Sequence, residues 1–111
     1  MWENVVIAAR EYPERHLDKA AWSAFRDAEP LLRRIDEIHE VNPFTKEPLV
    51  LSCPGSAEVV RGTEVVGLMI WEDGRILVDG DPEILTPLAI RCATALGAEV
   101  QDEDGAPLTF P

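Results

Sequence analysis

The densest group of chemically capable side chains is the stretch WEDGRILVDGDPE, residues 71–83. Carboxylates are the oxygen ligands that calcium prefers, and Asp79, Asp81 and Glu83 alternate as they do at the start of a calcium-binding loop. An EF-hand loop beginning at Asp79 needs a glycine at its sixth place and a glutamate at its twelfth, and this chain has isoleucine at both. We therefore expect no metal and no cofactor here, and predict a turn followed by a helix cap.

Residues suited to covalent or acid–base catalysis are few. Nucleophilic catalysis needs Ser or Cys converging with His and a carboxylate, and the histidines are His16 and His39, both in a region that we predict to be helical. His39 and Asp36 would share one helix face, which we interpret as a surface histidine beside a carboxylate. No HExxH, GxGxxG or GxxxxGK[ST] pattern is present. Cys53 and Cys92 are predicted to be buried free thiols, although a single disulfide stays open. We predict that the chain is not an enzyme.

The charge balance restricts the class of partner. The chain has 111 residues, of which 21 are acidic and 10 basic, which gives a formal net charge of -11. Such a charge repels nucleic acid and anionic lipid, and it steers a basic protein partner towards the surface. Simple solubility is the alternative explanation of the same charge. The N-terminus does not have the pattern of a signal peptide and no apolar run is long enough to span a membrane, so we predict a cytoplasmic protein.

A helical pattern extends over residues 14–40 and is interrupted at Pro30, which predicts two helices or one kinked helix. Oppositely charged residues at four-residue spacing, Glu29–Arg33 and Arg33–Glu37, support the helical interpretation. The predicted buried stripe steps by four and three alternately through Leu17, Ala21, Ala24, Ala28, Leu31, Ile35 and Ile38.

The second half of the chain has the pattern of an antiparallel sheet. Asp73-Gly74 between two apolar runs predicts a type I′ hairpin, in which Glu72 faces Arg75 and Trp71 faces Ile76. Both faces of this hairpin are apolar, so each must be covered, and any apolar sheet surface left over is an interface candidate. The predicted strands are Trp2–Ala9 (with an early helical turn as the alternative), Leu49–Cys53, Ala57–Arg61, Val65–Glu72, Arg75–Asp79 and a final edge strand, Ala98–Gln101.

The C-terminal helix is predicted over residues 82–96. Asp81 is a suitable N-cap before Pro82, and Gly97 is a natural C-terminal cap. Pro87 allows a late start or a kink. The predicted fold is therefore α+β in a single domain, 1–111: an N-terminal helical region, an antiparallel sheet with an Asp-Gly hairpin, and a C-terminal helix packed on the sheet. Residues 102–111 are predicted to be a loose acidic tail.

Two resemblances accompany this layout. The segment NPFTKEPLVL, followed by EVVG and WEDGRILVDG, resembles uncharacterised bacterial proteins that often carry an NPFT-x-EP turn before a sheet, and the match covers residues 42–97. In size, charge, order of elements and lack of catalytic groups the chain also resembles small acidic bacterial proteins of the immunity type. That resemblance implies a non-enzymatic protein that neutralises a toxin, and it implies no catalytic residues.

The leading functional hypothesis is thus an acidic protein-binding domain whose partner is a basic toxin, with no nucleic acid or membrane involved. The alternatives are a homo-oligomeric structural or regulatory domain that uses the sheet face or Trp71, and a small carboxylate enzyme that uses His39 in a deep cleft. The predicted contact residues are Glu64, Trp71, Glu72, Asp73, Asp79 and Glu83 around the hairpin, together with Glu37 and Glu40.

Overall fold

The computed structural model describes residues 3–108, so the predicted start of the first strand at Trp2 lies outside the described residues. The fold is α+β, with two helices and a six-stranded sheet in which every neighbouring pair of strands is antiparallel. The elements are β1 (Glu3–Ala8), α1 (Lys19–Ala28), β2 (Leu32–Val41), β3 (Pro48–Arg61), β4 (Glu64–Glu72), β5 (Arg75–Gly80), α2 (Pro82–Leu96) and β6 (Glu99–Gln101). The strand order in the sheet is β2-β3-β4-β5-β1-β6.

Both helices pack on the same face of the sheet. They contact each other, α1 lies against β2, and α2 lies against β1, β5 and β6. The apolar side chains of this face form one core with the helices, which removes their surface from water and supplies the main driving force for folding. Its most buried members are Ile7, Trp22, Val59, Met69, Ile76, Val78, Leu88 and Cys92.

The prediction of helix up to Glu40 is wrong, because the chain becomes a strand after Pro30. The helix ends at Ala28, and Leu32–Val41 pairs along its length with β3, which satisfies backbone groups that a second helix would have satisfied internally. The ion pairs expected for a helix are replaced by pairs to other elements, since Glu29 binds Arg91 and Arg33 binds Glu58. An apolar residue at every third place suits a helix stripe, but tertiary pairing overrode it.

The predicted break at Pro54-Gly55 lies inside β3. Ser56 lies opposite Ile35 of β2 and Ser52 lies opposite Glu37, so some of the β3 residues between Ser52 and Ser56 have no partner on β2 and form a bulge. Gly55 within this bulge has a φ of 79°. The bulge is held from three sides. The Gly55 N–H donates to Asp36 Oδ1 at 2.9 Å, and its carbonyl accepts from Trp22 Nε1 at 2.8 Å and from Arg26 Nη1 at 2.9 Å. These bonds keep one long strand where the sequence predicts two.

Strands β4 and β5 are joined by Asp73 and Gly74, which both have positive φ, as a type I′ turn requires. Glu72 lies opposite Arg75, and Trp71 lies opposite Ile76. The preceding loop anchors this turn, because the Leu17 N–H donates to the Gly74 carbonyl at 2.8 Å.

The C-terminal helix has the predicted bounds. Asp81 Oδ1 accepts a hydrogen bond from the Glu83 N–H at 3.0 Å, and Gly97 caps the other end in the left-handed conformation. Pro87 lies inside the helix without dividing it. Strand β6 follows on the free side of β1, as predicted for an edge strand. The next residues turn back along it, because the Leu108 N–H donates to the Val100 carbonyl at 2.8 Å.

Candidate functional site

The face of the sheet that points away from the helices is the candidate site, and we call it the open face. In residues 3–108, no helix or strand packs across it. Because alternate side chains of a strand share a face, the strand register places its residues in rows. One row is Gln101, Val6, Leu77 and Ile70, and the next is Asn4, Asp79, Leu68, Glu58 and Arg33.

The centre of the open face is apolar. Leu68, Ile70 and Leu77 are half-buried by their neighbours on the sheet and keep part of their surface in water. A shallow groove of about 340 Å³ runs over Val6, Ile70 and Leu77. A groove of this kind accepts apolar side chains of another molecule, because their burial removes apolar surface from water on both sides.

Acidic side chains border this apolar centre. Asp79 lies between Asn4 and Leu68 in its row, and Glu58 lies beyond Leu68, where it binds Arg33. Glu103, from the segment after β6, also lines the groove. Arg75 lines the same groove and Arg33 neutralises Glu58, so the negative excess of the border comes from Asp79 and Glu103. This excess suits a partner that combines apolar and basic residues.

The predicted contact residues divide between this surface and others. Glu72 and Asp79 share the open face, with Glu72 opposite Arg75 at the end of the strands. Glu37 lines a second groove, of about 450 Å³, together with Glu58 and Leu68. Asp79 and Glu37 therefore border the two grooves, whereas Glu72 lies outside both.

The other predicted contact residues lie elsewhere. Trp71 is half-buried on the helix side, against the core. Asp73 belongs to the turn after β4, whereas Glu64 begins β4 at the opposite end of the strand. Glu83 lies in the first turn of α2, where its charge suits the helix dipole. Glu40 lies on β2 opposite Leu49 of β3, in the part of these two strands that extends past β4. The hairpin acids therefore do not form one patch.

A projecting arm, residues 37–52 of β2 and β3, is a feature that the sequence analysis missed. Its turn is fixed by hydrogen bonds, since Asn42 Oδ1 accepts from the N–H groups of Phe44 at 2.9 Å and Thr45 at 3.2 Å. Phe44 is 93% exposed at the tip, and Val41 and Val50 are more than half exposed. The signal in the sequence was the Asn42 turn directly before the apolar run Leu49–Leu51, which is typical of a hairpin once β2 is recognised as a strand.

One end of the open face carries a stacked column of side chains. Arg75 lies over the Tyr12 ring, with its guanidinium carbon 5.3 Å from the centroid, and Tyr12 stacks on His16 with 5.7 Å between centroids. Within residues 3–108, no group accepts a hydrogen bond from the buried Arg75 Nε. The column supports the β4–β5 turn and closes that end of the groove.

The reactive side chains are dispersed. His39 Nε2 lies 3.2 Å from Glu37 Oε1 on exposed β2, so the expected pairing with Asp36 on a helix is wrong. The Gly55 N–H holds the pKa of the Asp36 carboxyl below its usual value. Cys53 and Cys92 are both free and buried, and burial raises the pKa of the Cys92 thiol to about 12. Among the described residues, no three His, Cys, Asp or Glu side chains converge as metal ligands would.

Comparison with protein-family models, with curated proteins and with solved structures finds no match to this chain. Neither helix in the described part of the chain has both the length and the apolar character that crossing a membrane requires.

Proposed function

We propose that this chain is a non-enzymatic protein-binding domain whose open face takes a basic protein partner. The observation that carries the proposal is the juxtaposition of three half-buried apolar side chains, Leu68, Ile70 and Leu77, with the carboxylate of Asp79, on a sheet face across which no helix of residues 3–108 packs. Apolar contact supplies affinity at the centre, and the acidic border selects and orients a cationic surface.

The distribution of ion pairs favours Asp79 as a contact residue. Glu58 already binds Arg33, and Glu29 binds Arg91, so these carboxylates are partly neutralised within the chain. Within residues 3–108, no Lys or Arg forms an ion pair with Asp79. A partner's Lys or Arg would gain a new charge pair there, whereas at Glu58 it would compete with Arg33.

The more specific form of the proposal is an immunity-type protein of the bacterial cytoplasm that neutralises a basic toxin by covering its functional surface. The support for it is the net charge of -11, which accelerates association with a cationic protein through long-range attraction. The alternative, a homo-oligomeric domain, is favoured by a different feature, the outer edge of β2.

Affinity isolation from the native host tests the proposal, with the wild type and Asp79→Lys as baits. We expect the wild type to retain a basic protein at low salt, to release it at high salt, and to relieve its toxicity when both are co-expressed. Asp79→Lys should retain much less of that protein. Glu14→Lys makes the same charge change at an exposed residue away from the open face, and should behave as the wild type does. Equal retention by Asp79→Lys and the wild type would contradict binding at this face.

A further inference from the structure

The outer edge of β2 is a second surface that the fold leaves without a partner. β2 has ten residues, and on its outer side no strand from residues 3–108 pairs with it. Such an edge presents a row of backbone N–H and C=O groups that are able to pair with another strand. Charged side chains on an edge strand normally discourage this pairing, so their arrangement on β2 decides which strand the edge accepts.

On β2, basic side chains precede Ile35 and acidic side chains follow it. The sequence Leu32-Arg33-Arg34-Ile35-Asp36-Glu37-Ile38 has a cation at each of the two places before Ile35 and an anion at each of the two places after it. The next residue on either side is apolar. When two such strands run antiparallel with Ile35 opposite Ile35, each residue therefore meets its complement.

We propose that β2 pairs with β2 of a second copy of this chain, antiparallel and centred on Ile35. Arg34 then lies opposite Asp36 of the second copy, Arg33 lies opposite its Glu37, and Leu32 lies opposite its Ile38. The two six-stranded sheets join into one sheet of twelve strands about a two-fold axis. The interface is isologous, so every favourable pair occurs twice.

The register follows from strand geometry and charge. Residues that lie opposite each other in an antiparallel pair point to the same face of the sheet, and neighbours in the sequence point to opposite faces. A residue can therefore lie opposite its own copy but not opposite the copy of its sequence neighbour, so the two-fold axis lies at the level of one residue. An axis at Arg34, Asp36 or Glu37 would place two identical charges against each other, which destabilises the pair. The axis at Ile35 places an apolar pair at the centre and opposite charges on both sides.

The charged side chains are exposed, but each already has a partner within its own chain. Arg34 Nε lies 3.3 Å from Asp36 Oδ1, and His39 Nε2 lies 3.2 Å from Glu37 Oε1, so the contacts across the dimer share or exchange these exposed pairs. The side chains of Arg33, Arg34, Asp36 and Glu37 are 64%, 59%, 57% and 56% exposed, respectively. Arg33 already binds Glu58 on its own sheet, and Glu37 of the second copy would approach it from the other side. Charge networks of this kind contribute more than isolated exposed pairs do.

Charge-reversal variants test the interface. Light scattering with size exclusion and sedimentation over a concentration series measure their association. The wild type should associate into dimers as concentration rises. Each of two substitutions, Arg33→Glu and Glu37→Arg, creates two pairs of like charges across the dimer interface. Each should raise the dimer dissociation constant at least about tenfold. An equimolar mixture of the two variants should recover a dimer that contains one of each, because both cross-pairs are then attractive. Native mass spectrometry identifies that heterodimer.

The matched controls are Arg15→Glu and Glu14→Arg, which make the same charge changes at exposed residues away from β2 and should dimerise as the wild type does. If Arg33→Glu unfolds because Glu58 lies beside it, hydrogen exchange of the wild type replaces this variant. The amides of residues 32–38 that point away from β3 should then lose protection on dilution, whereas those paired with β3 should not. A wild type that stays monomeric at high concentration would overturn the proposal. So would a mixture without heterodimer, or exchange in residues 32–38 that is independent of concentration.

This proposal is independent of the open face and of its partner. Asp79→Lys should leave the dimer intact, whereas Glu37→Arg should break it, so the failure of one proposal is distinguishable from the failure of the other.

Discussion

Gly74 in the β4–β5 turn should be far less tolerant of substitution than Gly62 in the β3–β4 turn, although both have left-handed backbone conformations. Gly62 has a φ of 66°, Gly74 has a φ of 75°, and an added side chain is therefore strained at each. They differ in their surroundings. A Cβ on Gly62 meets no atom within 4 Å, whereas a Cβ on Gly74 would overlap His16, with Nδ1 only 2.6 Å away.

The magnitudes follow from these two terms. Gly62→Ala should cost about 1 kcal/mol, since the left-handed conformation costs about 1–2 kcal/mol and the stiffer unfolded chain returns part of it. Gly74→Ala has the same backbone term and an added overlap, which costs about 1–3 kcal/mol in well-packed sites. We therefore expect a total of about 2–4 kcal/mol at Gly74.

Urea unfolding followed by tryptophan fluorescence measures both changes, with the slope of the transition as a check that only stability has changed. A double-mutant cycle that combines Gly74→Ala with His16→Gly separates the cost of the overlap from the cost of the backbone conformation. Glycine is needed at position 16 because the Cβ of His16 is itself among the overlapping atoms. In the His16→Gly background, Gly74→Ala should cost no more than Gly62→Ala. Equal costs for the two single alanine variants would refute the reasoning, and so would strict additivity in the cycle.

The remaining predictions concern Asp36 and Cys92, whose pKa values are shifted. The pKa of Asp36 is lower in the folded chain than its usual 3.8, so the folded state binds fewer protons and the ionised carboxyl stabilises it above that pH. Acid unfolding should show the wild type losing more stability than Asp36→Asn as the pH falls through this range, and parallel curves would contradict the role of the Gly55 N–H. With a pKa of about 12, Cys92 should resist alkylation by iodoacetamide at about pH 8 in the native state and react after unfolding. Rapid native modification at Cys92, located by mass spectrometry, would show that its burial is wrong.

Several elements are specified by short-range chemistry, and for these the sequence is sufficient. Asp81 and Gly97 define the ends of α2 because one side chain satisfies a free N–H and the other residue adopts a left-handed conformation without strain. The same kind of reasoning applies at Asp73-Gly74, where the turn requires positive φ twice and thereby sets which residues oppose each other on β4 and β5.

β2 shows where such reasoning fails. Its apolar residues recur every third place, which fits a helix stripe, and its charges fit helical ion pairs as well. The strand forms because Pro30 ends α1 and β3 offers a long partner whose bulge at Gly55 is fixed by Trp22 and Asp36. Those two residues are distant from Gly55 in the sequence, so no local pattern contains this information.

The sequence by itself determines that the β4–β5 hairpin is apolar on both faces, that the chain is strongly acidic, and that Ile35 is flanked by opposite charges. Only the tertiary structure decides that α1 and α2 pack on the same face of the sheet, so that within residues 3–108 no helix covers the other face. The physical reason is that alternation fixes which side chains share a face, whereas the choice of face for each helix depends on packing between elements far apart in the chain. The acids near the hairpin are separated for the same reason, since Asp79 lies on the open face while Glu83 lies on a helix behind it.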